Sequence, residues 1–321
     1  MIEVEHLSKT YGSARAVQDV SFRVGKGEIL GFLGPNGAGK TTTMRILTCY
    51  MAPTAGTARI AGHDILDESL EVRRNIGYLP ENVPLYPEMT VRDYLNYVAA
   101  LRGVPKNKRA ERLEAALDAG KLEDRVDDLI FKLSKGYRQR VGIAQAVIHD
   151  PLVLILDEPS AGLDPRQRVE TRQFIKSLSK DHTIILSTHI LPDVQETCSR
   201  VVIIHRGRIV AEDTPEHLSA SRGQGDRITL VVHRPSGDAA HKLQRVKGVA
   251  NARREDATRS RSDGAKAGDE HAFVLDLQAG SDAREEVARL CVNEGWGLLE
   301  LRRQRRSLED VFLELTRTDE A

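Results

Sequence analysis

The sequence of 321 residues is poor in cysteine and has no long apolar run. Its three cysteines, Cys49, Cys198 and Cys291, are odd in number and far apart, so they form neither a disulfide framework nor a C-x-x-C metal site and favour a reducing compartment. The longest apolar runs, such as residues 152–156, have the length of a buried strand and fall far short of the roughly 20 residues that span a bilayer. The first residues lack the basic start and the apolar segment of a signal peptide. We therefore expect a cytoplasmic chain that does not itself cross a membrane.

An excess of charge of one sign is absent as well. The 47 basic and 47 acidic residues give a formal net charge of zero. A balanced chain has no general attraction to nucleic acid or anionic lipid, and we expect no nucleic-acid partner. The basic run at residues 302–306 indicates a solvated face more than a binding patch.

Residues 1–220 alternate strand-like and helix-like segments, which predicts an α/β domain. Helical patterns at residues 84–102 and 108–119 predict a helical insertion over about residues 82–150, with Thr90 as the N-cap of residues 91–101. Helices are also predicted at residues 166–179 and 191–199. Strands are predicted at residues 3–7, 16–22, 58–60, 152–156, 183–186 and 201–204.

The composition changes after residue 220, where residues 220–225 predict a linker. Residues 221–321 are therefore expected to form a separate, small α+β domain. Its β-α-β-β-α-β order, followed by a helix that Ser307 and Asp310 would cap, suits a ferredoxin-like arrangement. The polar stretch at about residues 255–270 predicts a mobile loop.

The strongest motif is Gly34-Pro35-Asn36-Gly37-Ala38-Gly39-Lys40-Thr41-Thr42, which fits G-x-x-x-x-G-K-[ST]. It lies between an apolar strand-like stretch and a helix-like one, the context that this phosphate loop requires. Glycines let successive backbone N–H groups point at an anion, and the helix N-terminus adds its positive dipole end. Lys40 is expected to reach the β- and γ-phosphates of a nucleotide, and the Thr41 hydroxyl to hold Mg²⁺.

A second motif places Asp157 and Glu158 directly after the apolar strand at residues 152–156. Both carboxylates would then lie at the carboxyl edge of a sheet, where open α/β folds bind ligands. Asp157 is expected to approach Mg²⁺, usually through a water molecule. Glu158 is expected to act as the general base that polarises a water molecule for attack on a γ-phosphoryl group.

These two motifs, with others in a fixed order, make residues 1 to about 220 resemble the ATP-binding subunit of an ATP-binding cassette (ABC) transporter. Leu133-Ser134-Lys135-Gly136-Tyr137-Arg138-Gln139-Arg140 resembles the signature loop of that family. Ser160-Ala161-Gly162-Leu163-Asp164 resembles the loop after the second acid, and Ser187-Thr188-His189 the switch histidine. Ile76-Gly77-Tyr78-Leu79-Pro80 resembles the run that precedes the helical insertion.

The resemblance implies a P-loop NTPase fold of the ABC cassette type with a helical subdomain. It implies ATP hydrolysis with Mg²⁺ and a head-to-tail sandwich of two chains around two nucleotides, either a homodimer or a pair with another cassette subunit. It also implies an integral-membrane permease as partner, which would hold the chain at the inner face of the cell membrane. The permease would contact the region around residues 82–94.

The resemblance also implies individual roles. Ser134 and Gly136, with Lys135 beside them, would face the γ-phosphate of ATP bound to the partner chain. His189 would hydrogen-bond the γ-phosphate and the water held by Glu158, and Tyr11 would stack on adenine.

The sequence departs from the family pattern at three positions. Glu81 stands where the family usually has glutamine, and we expect it to keep a metal role. In the signature, Lys135 replaces a glycine and Tyr137 a glutamine. Lys135 would add positive charge toward the partner's phosphates.

Short matches indicate a subgroup. Residues 307–313 resemble the ending of cassette subunits of type-2 exporters, and residues 81–86 resemble the gliding-motility branch.

The alternative is a soluble ABC-type ATPase with a regulatory or non-transport role. The single phosphate loop and the lack of sustained heptads argue against a repair or translation ATPase. A GTPase is disfavoured because neither Asn-Lys-x-Asp nor Asp-x-x-Gly occurs.

Overall fold

The computed structural model describes residues 1–220, 224–255, 270–278, 280–304 and 308–317. Most of the chain divides into two compact units, Met1–Pro215 and Glu216–Glu314. The division falls slightly before the expected boundary at residue 220. The loop predicted at about residues 255–270 falls almost entirely on residues 256–269, and the capping Ser307 falls on residues 305–307; both stretches lie outside the described residues.

The first unit is built around a six-stranded sheet in the order β10-β9-β3-β8-β7-β6. Five strands run parallel, and β10 returns antiparallel to β9. All residues of β3, β7 and β8 are buried, which is what a parallel sheet covered on both faces requires. The strands are β3 (Ile29–Leu33), β6 (Ile76–Leu79), β7 (Val153–Asp157), β8 (Thr183–Thr188), β9 (Arg200–His205) and β10 (Arg208–Asp213).

A smaller antiparallel sheet has the order β2-β1-β4-β5. Its apolar side chains share one core with the parallel sheet, and the rings of Phe22 and Phe32 lie 5.5 Å apart within that core. The strands are β1 (Ile2–Tyr11), β2 (Ala14–Val24), β4 (Ala55–Ile60) and β5 (His63–Asp64).

Helices surround these sheets, and three of them, α3, α4 and α5, form the predicted helical insertion. The helical pattern predicted from residue 84 was wrong for residues 84–90, because α3 begins at Val91. The carbonyls of Pro87 and Met89 instead accept hydrogen bonds from Phe131 and Ile130. Thr90 caps α3 as predicted, its hydroxyl accepting from the Asp93 N–H at 3.1 Å. The helices of this unit are α1 (Lys40–Leu47), α2 (Ser69–Asn75), α3 (Val91–Leu101), α4 (Arg109–Gly120), α5 (Lys135–Val147), α6 (Pro165–Leu178) and α7 (Leu191–Thr197).

The second unit is an antiparallel sheet in the order β12-β13-β11-β14 with helices after its first and third strands. The β-α-β-β-α-β order and this sheet order make a ferredoxin-like arrangement. Its core includes Leu230, Phe273 and Val287. The elements are α8 (Pro215–Ala220), β11 (Gln224–His233), α9 (Ala239–Gln244), β12 (Val249–Glu255), β13 (Glu270–Gln278), α10 (Arg284–Asn293), β14 (Gly297–Gln304) and α11 (Leu308–Arg317).

Across the described ranges, no helix is both long enough and apolar enough to cross a bilayer.

Candidate active site

The phosphate-loop motif forms the connection between β3 and α1. Gly39 has φ +108°, and a Cβ there would lie 2.5 Å from the carbonyl oxygen of Ala16. A Cβ on Gly34 would lie 2.5 Å from the carbonyl oxygen of Ile204. Backbone carbonyls of β2 and β9 therefore lie so close to the loop backbone that only glycine fits at these two positions.

Lys40 is the first residue of α1 and is almost fully buried. Its ammonium donates hydrogen bonds to the carbonyls of Gly34, at 2.8 Å, and Pro35, at 3.3 Å. The same nitrogen lies 3.3 Å from Glu158 Oε1. The lysine is thus held at the loop with a carboxylate beside it.

Asp157 ends β7 and is completely buried. Its Oδ1 accepts a hydrogen bond from the Ser187 hydroxyl at 2.8 Å. Its Oδ2 has no hydrogen-bond partner within the part of the chain that the structure describes. Burial raises the pKa of Asp157, the hydroxyls of Ser187 and Thr41 oppose this rise, and the nearby carboxylates of Glu158 and Glu81 add to it. A buried carboxylate oxygen without a donor, beside a threonine hydroxyl and further carboxylates, fits a hard divalent cation.

Glu158 lies one residue beyond the strand and has φ +52°, a left-handed conformation that is unusual for a residue other than glycine. Its backbone N–H donates to the Ser187 carbonyl at 2.9 Å, which fixes this turn. Its Oε2 lies 2.9 Å from Nδ1 of His189, at the end of the adjacent strand β8. Glu158 is buried, whereas the side chain of His189 is half exposed. The pair therefore has a buried carboxylate and a histidine that is open to solvent.

Lys40, Glu158 and His189 line a cleft of about 310 Å³ at the carboxyl edge of the parallel sheet. Glu81 reaches the cleft from the loop after β6, and its metal role stays a prediction. Ala16 of β2 also lines it; the sequence analysis did not single it out because alanine carries no functional side chain. The lining residues are Ala16, Asn36, Gly37, Gly39, Lys40, Thr41, Thr42, Glu81, Glu158 and His189.

Tyr11 does not line this cleft. It ends β1 at the turn into β2, is 47 % exposed, and its hydroxyl donates to Met51 Sδ at 2.9 Å. The ammonium of Lys9 lies 5.5 Å from the centre of its ring. Its role toward adenine stays a prediction.

The signature residues do not line the cleft either. Ser134 is the N-cap of α5, with its hydroxyl accepting from the Tyr137 N–H at 3.4 Å. Gly136 packs against Gln167, whose Oε1 would lie 2.7 Å from a Cβ on that glycine. Lys135 extends across Gly162 of the same chain, in the loop after Glu158. Within one chain, the signature therefore lies apart from the phosphate loop.

Tyr137 stands where the family pattern has glutamine. The guanidinium carbons of Arg125 and Arg140 lie 5.4 and 5.2 Å from its ring centre. Its hydroxyl donates to Asp124 at 3.3 Å. Two arginines and an aspartate therefore surround the Tyr137 ring at the start of α5. The sequence motif did not reveal these contacts.

Comparison with known proteins places this geometry in a family. The sequence pattern of the family described as "ABC transporter" matches residues 17–161. The chain is 33 % identical over 316 residues to an uncharacterized ABC transporter ATP-binding protein, YxlF, of Bacillus subtilis (strain 168), covering 98 % of this chain and 99 % of that one. It is 36 % identical over 317 residues to the daunorubicin resistance ATP-binding protein DrrA2 of Streptomyces coeruleorubidus, covering 98 % and 94 %.

A solved structure of similar fold is a dimeric ATP-binding cassette in a post-hydrolysis state, bound to ADP and Pi. It superimposes with a TM-score of 0.61 at 25 % sequence identity, over 67 % of this chain and 98 % of that one. The chain therefore belongs to the family of ABC transporter ATP-binding proteins and is an ATP-binding, ATP-hydrolysing transporter subunit.

Proposed function

We propose that the cleft at the carboxyl edge of the parallel sheet hydrolyses ATP and that two such chains close on the nucleotide to energise a membrane permease. The observation that carries the proposal is the contact of one buried carboxylate, that of Glu158, with both Lys40 and His189. The three side chains come from three different motifs and meet at one cleft.

The phosphate loop binds the nucleotide. Backbone N–H groups of residues 36, 37 and 39–42, at the loop and the N-terminus of α1, face the phosphates, and the ammonium of Lys40 neutralises charge on the β- and γ-phosphates. Tyr11 lies at the end of β1, the strand next to the one that carries Ala16, and stacks on adenine.

Thr41, Asp157 and Glu81 hold the Mg²⁺ that accompanies ATP. The ion, when bound, offsets negative charge on the phosphates. The unpartnered Oδ2 of Asp157 and the Thr41 hydroxyl near it support this assignment. Glu81 adds a full negative charge where the family usually has an amide.

Glu158 accepts the proton of the attacking water, and His189 orients both that water and the γ-phosphate. The geometry supports a positioned base, because the Glu158 backbone is tied to Ser187, its Oε2 contacts His189, and its Oε1 is paired with the charge of Lys40. General-base assistance of this kind contributes about 10²–10⁴-fold to a rate.

Ser134, Lys135 and Gly136 complete the site of a second chain. They lie outside the cleft of their own chain, yet Ser134 caps a helix whose free N–H groups suit a phosphate. Two chains arranged head to tail, either identical or paired with another cassette, would bring each signature to the opposite cleft.

An aromatic group on the helical insertion is the proposed contact with the permease. The ring of Tyr86 lies 5.9 Å from that of Tyr94 and 5.7 Å from that of Tyr97, and Tyr86 and Tyr97 are about half exposed. This group overlaps the expected contact region at residues 82–94. The chain would work at the cytoplasmic face of the membrane, held there by a permease of the type-2 exporter class, with the second unit as an accessory domain.

The test is ATP binding and turnover by the purified chain. We expect Mg²⁺-dependent phosphate release, and we expect the Glu158→Gln variant to form a dimer in ATP and Mg²⁺, seen by light scattering. A chain that binds no adenine nucleotide would overturn the proposal. Copurification with a protein of several apolar spans supports transport, and ATP turnover without any such partner supports a soluble ATPase.

A further inference from the structure

A buried ion pair joins the two helices that follow the catalytic loops. Helix α6 begins at Pro165, after the loop that follows Glu158, and α7 begins at Leu191, just after His189. Arg172 of α6 donates through Nη1 to Asp193 Oδ1 of α7 at 3.1 Å. The second nitrogen of the same guanidinium, Nη2, lies 3.1 Å from Glu196 Oε2.

The pair is poorly suited to a purely stabilising role. The side chains of Arg172 and Asp193 are only 13 % and 2 % exposed, whereas that of Glu196 is 59 % exposed. Arg172 Nε and Asp193 Oδ2 are buried without partners among the residues that the structure describes. A buried ion pair of this kind is often replaceable by apolar side chains of similar volume without loss of stability. A geometric role is therefore the better explanation.

Helix α7 is also pressed against the strand that leads to the phosphate loop. A Cβ on Gly31 of β3 would lie 3.0 Å from Cys198 Sγ and 3.1 Å from Val194 Cγ1. At the other end, the Ile190 N–H donates to the Thr188 hydroxyl at 3.0 Å, and the Asp193 N–H donates to the Ile190 carbonyl at 3.1 Å. The His189 loop and the first turn of α7 are therefore one hydrogen-bonded segment, which rests on β3.

We propose that Arg172 and Asp193 are positioning residues that set His189 against Glu158. The inference rests on the ATPase function proposed above. Arg172 extends from the helix after the Glu158 loop, and Asp193 belongs to the segment that carries His189. Their contact fixes the distance between the two loops and so keeps the 2.9 Å contact of His189 Nδ1 with Glu158 Oε2. Displacements of about 1 Å at such a site can lower a rate by roughly 10²-fold.

The first experiment observes His189 directly in the full chain without nucleotide. Histidine ring ¹⁵N signals are recorded for the parent chain, and His189 is assigned by its loss in His189→Gln. The test variant is the double substitution Arg172→Met with Asp193→Leu. It removes both charges together, so that no buried charge is left without its partner. The matched control is Glu196→Gln, which alters the exposed partner of the same arginine. We expect the His189 signal to move in the double variant and to stay in the control.

The second experiment measures ATP turnover and thermal unfolding of the same variants. We expect the double variant to unfold within a few degrees of the parent, with kcat lowered about tenfold and KM changed less than about twofold. Arg172→Lys, which keeps the charge but loses the two-pronged contact, should give a smaller loss of kcat and supplies a second variant if the double one does not fold.

Two results would overturn the inference. One is a folded double variant with parental kcat and an unmoved His189 signal, and the other is a fall in kcat with no change at His189. A moved His189 signal in a chain that hydrolyses no ATP would instead support the positioning role and contradict the proposed function.

Discussion

The Lys40 ammonium lies 3.3 Å from Glu158 Oε1. The other oxygen of the same carboxylate lies 2.9 Å from His189 Nδ1, so the phosphate-loop lysine and the switch histidine meet at one group. Both contacts are made inside a single chain, because β3, β7 and β8 are neighbours in the sheet and end at the same edge. The signature loop and Tyr11 are the parts of the proposed machinery that lie outside this cleft.

Glu158→Gln should separate ATP binding from ATP hydrolysis. The amide keeps the size of the side chain and can still contact His189, but it cannot accept the proton of water. We expect turnover to fall by about 10²-fold or more, with ATP binding retained. Phosphate release and equilibrium binding of labelled ATP measure the two quantities. Glu71→Gln, at a half-exposed position of α2 remote from the cleft lining, is the control. Turnover of Glu158→Gln within about twofold of the parent would contradict the base assignment.

Gly39→Ala and Gly12→Ala should differ although both glycines have positive φ. At Gly12 a Cβ meets nothing within 4 Å, so only backbone strain of about 1–2 kcal/mol is expected. At Gly39 the Cβ would also lie 2.5 Å from the Ala16 carbonyl oxygen, so the phosphate loop must shift. We expect Gly39→Ala to lower the free energy of unfolding by more than Gly12→Ala does and to abolish ATP binding. Urea unfolding and nucleotide binding test this, and equal effects would argue against the tight fit of the loop.

Glu81→Gln should weaken the response to Mg²⁺. The substitution removes one negative charge close to Asp157 while keeping an oxygen ligand. We expect the Mg²⁺ concentration for half-maximal turnover to rise severalfold, measured at saturating ATP. Glu88→Gln, in the same loop but not part of the cleft lining, is the control. Unchanged turnover and unchanged Mg²⁺ dependence would remove Glu81 from the metal assignment.

His149→Gln should reduce the loss of stability in mild acid. Burial lowers the pKa of His149 from 6.5 to about 4, and the charges of Arg102 and Arg112 add to the effect, against a hydrogen bond to the Ile76 carbonyl. Because the folded pKa lies below the unfolded one, the unfolded chain binds the proton first. Neutral His149 therefore contributes to the free energy of unfolding in full above pH 6.5, and this contribution is lost as pH falls toward 4. The loss at pH 5 is about 2 kcal/mol.

The measurement for His149 is the free energy of urea unfolding at pH 7 and pH 5 for the parent and for His149→Gln. The variant should lose less stability between these two pH values than the parent does. His241→Gln, at an exposed position of α9, serves as the histidine control. A variant with the full acid loss of the parent would show that other groups carry the titration.

The sequence alone determined which functional motifs the chain carries and in what order they occur. Each of these motifs is short and follows an apolar, strand-like run. The phosphate loop, the two acids and the histidine could therefore each be assigned to the end of a strand from a few neighbouring residues. The alternation of apolar and polar segments likewise predicted the parallel sheet, the helical insertion and the β-α-β-β-α-β order. Strand ends were less accurate, because β1 and β2 extend through polar residues that their partners hold by hydrogen bonds.

Only the tertiary structure decided which groups touch. The hydroxyl of Ser187 on Asp157, the Ala16 carbonyl against Gly39 and the ion pair of Arg172 with Asp193 each join residues far apart in the chain. Such contacts depend on strand order and helix packing, which no short motif encodes. The loop before α3 shows the same: its carbonyls at Pro87 and Met89 accept hydrogen bonds from Phe131 and Ile130, a pairing that the local Thr90 cap does not predict.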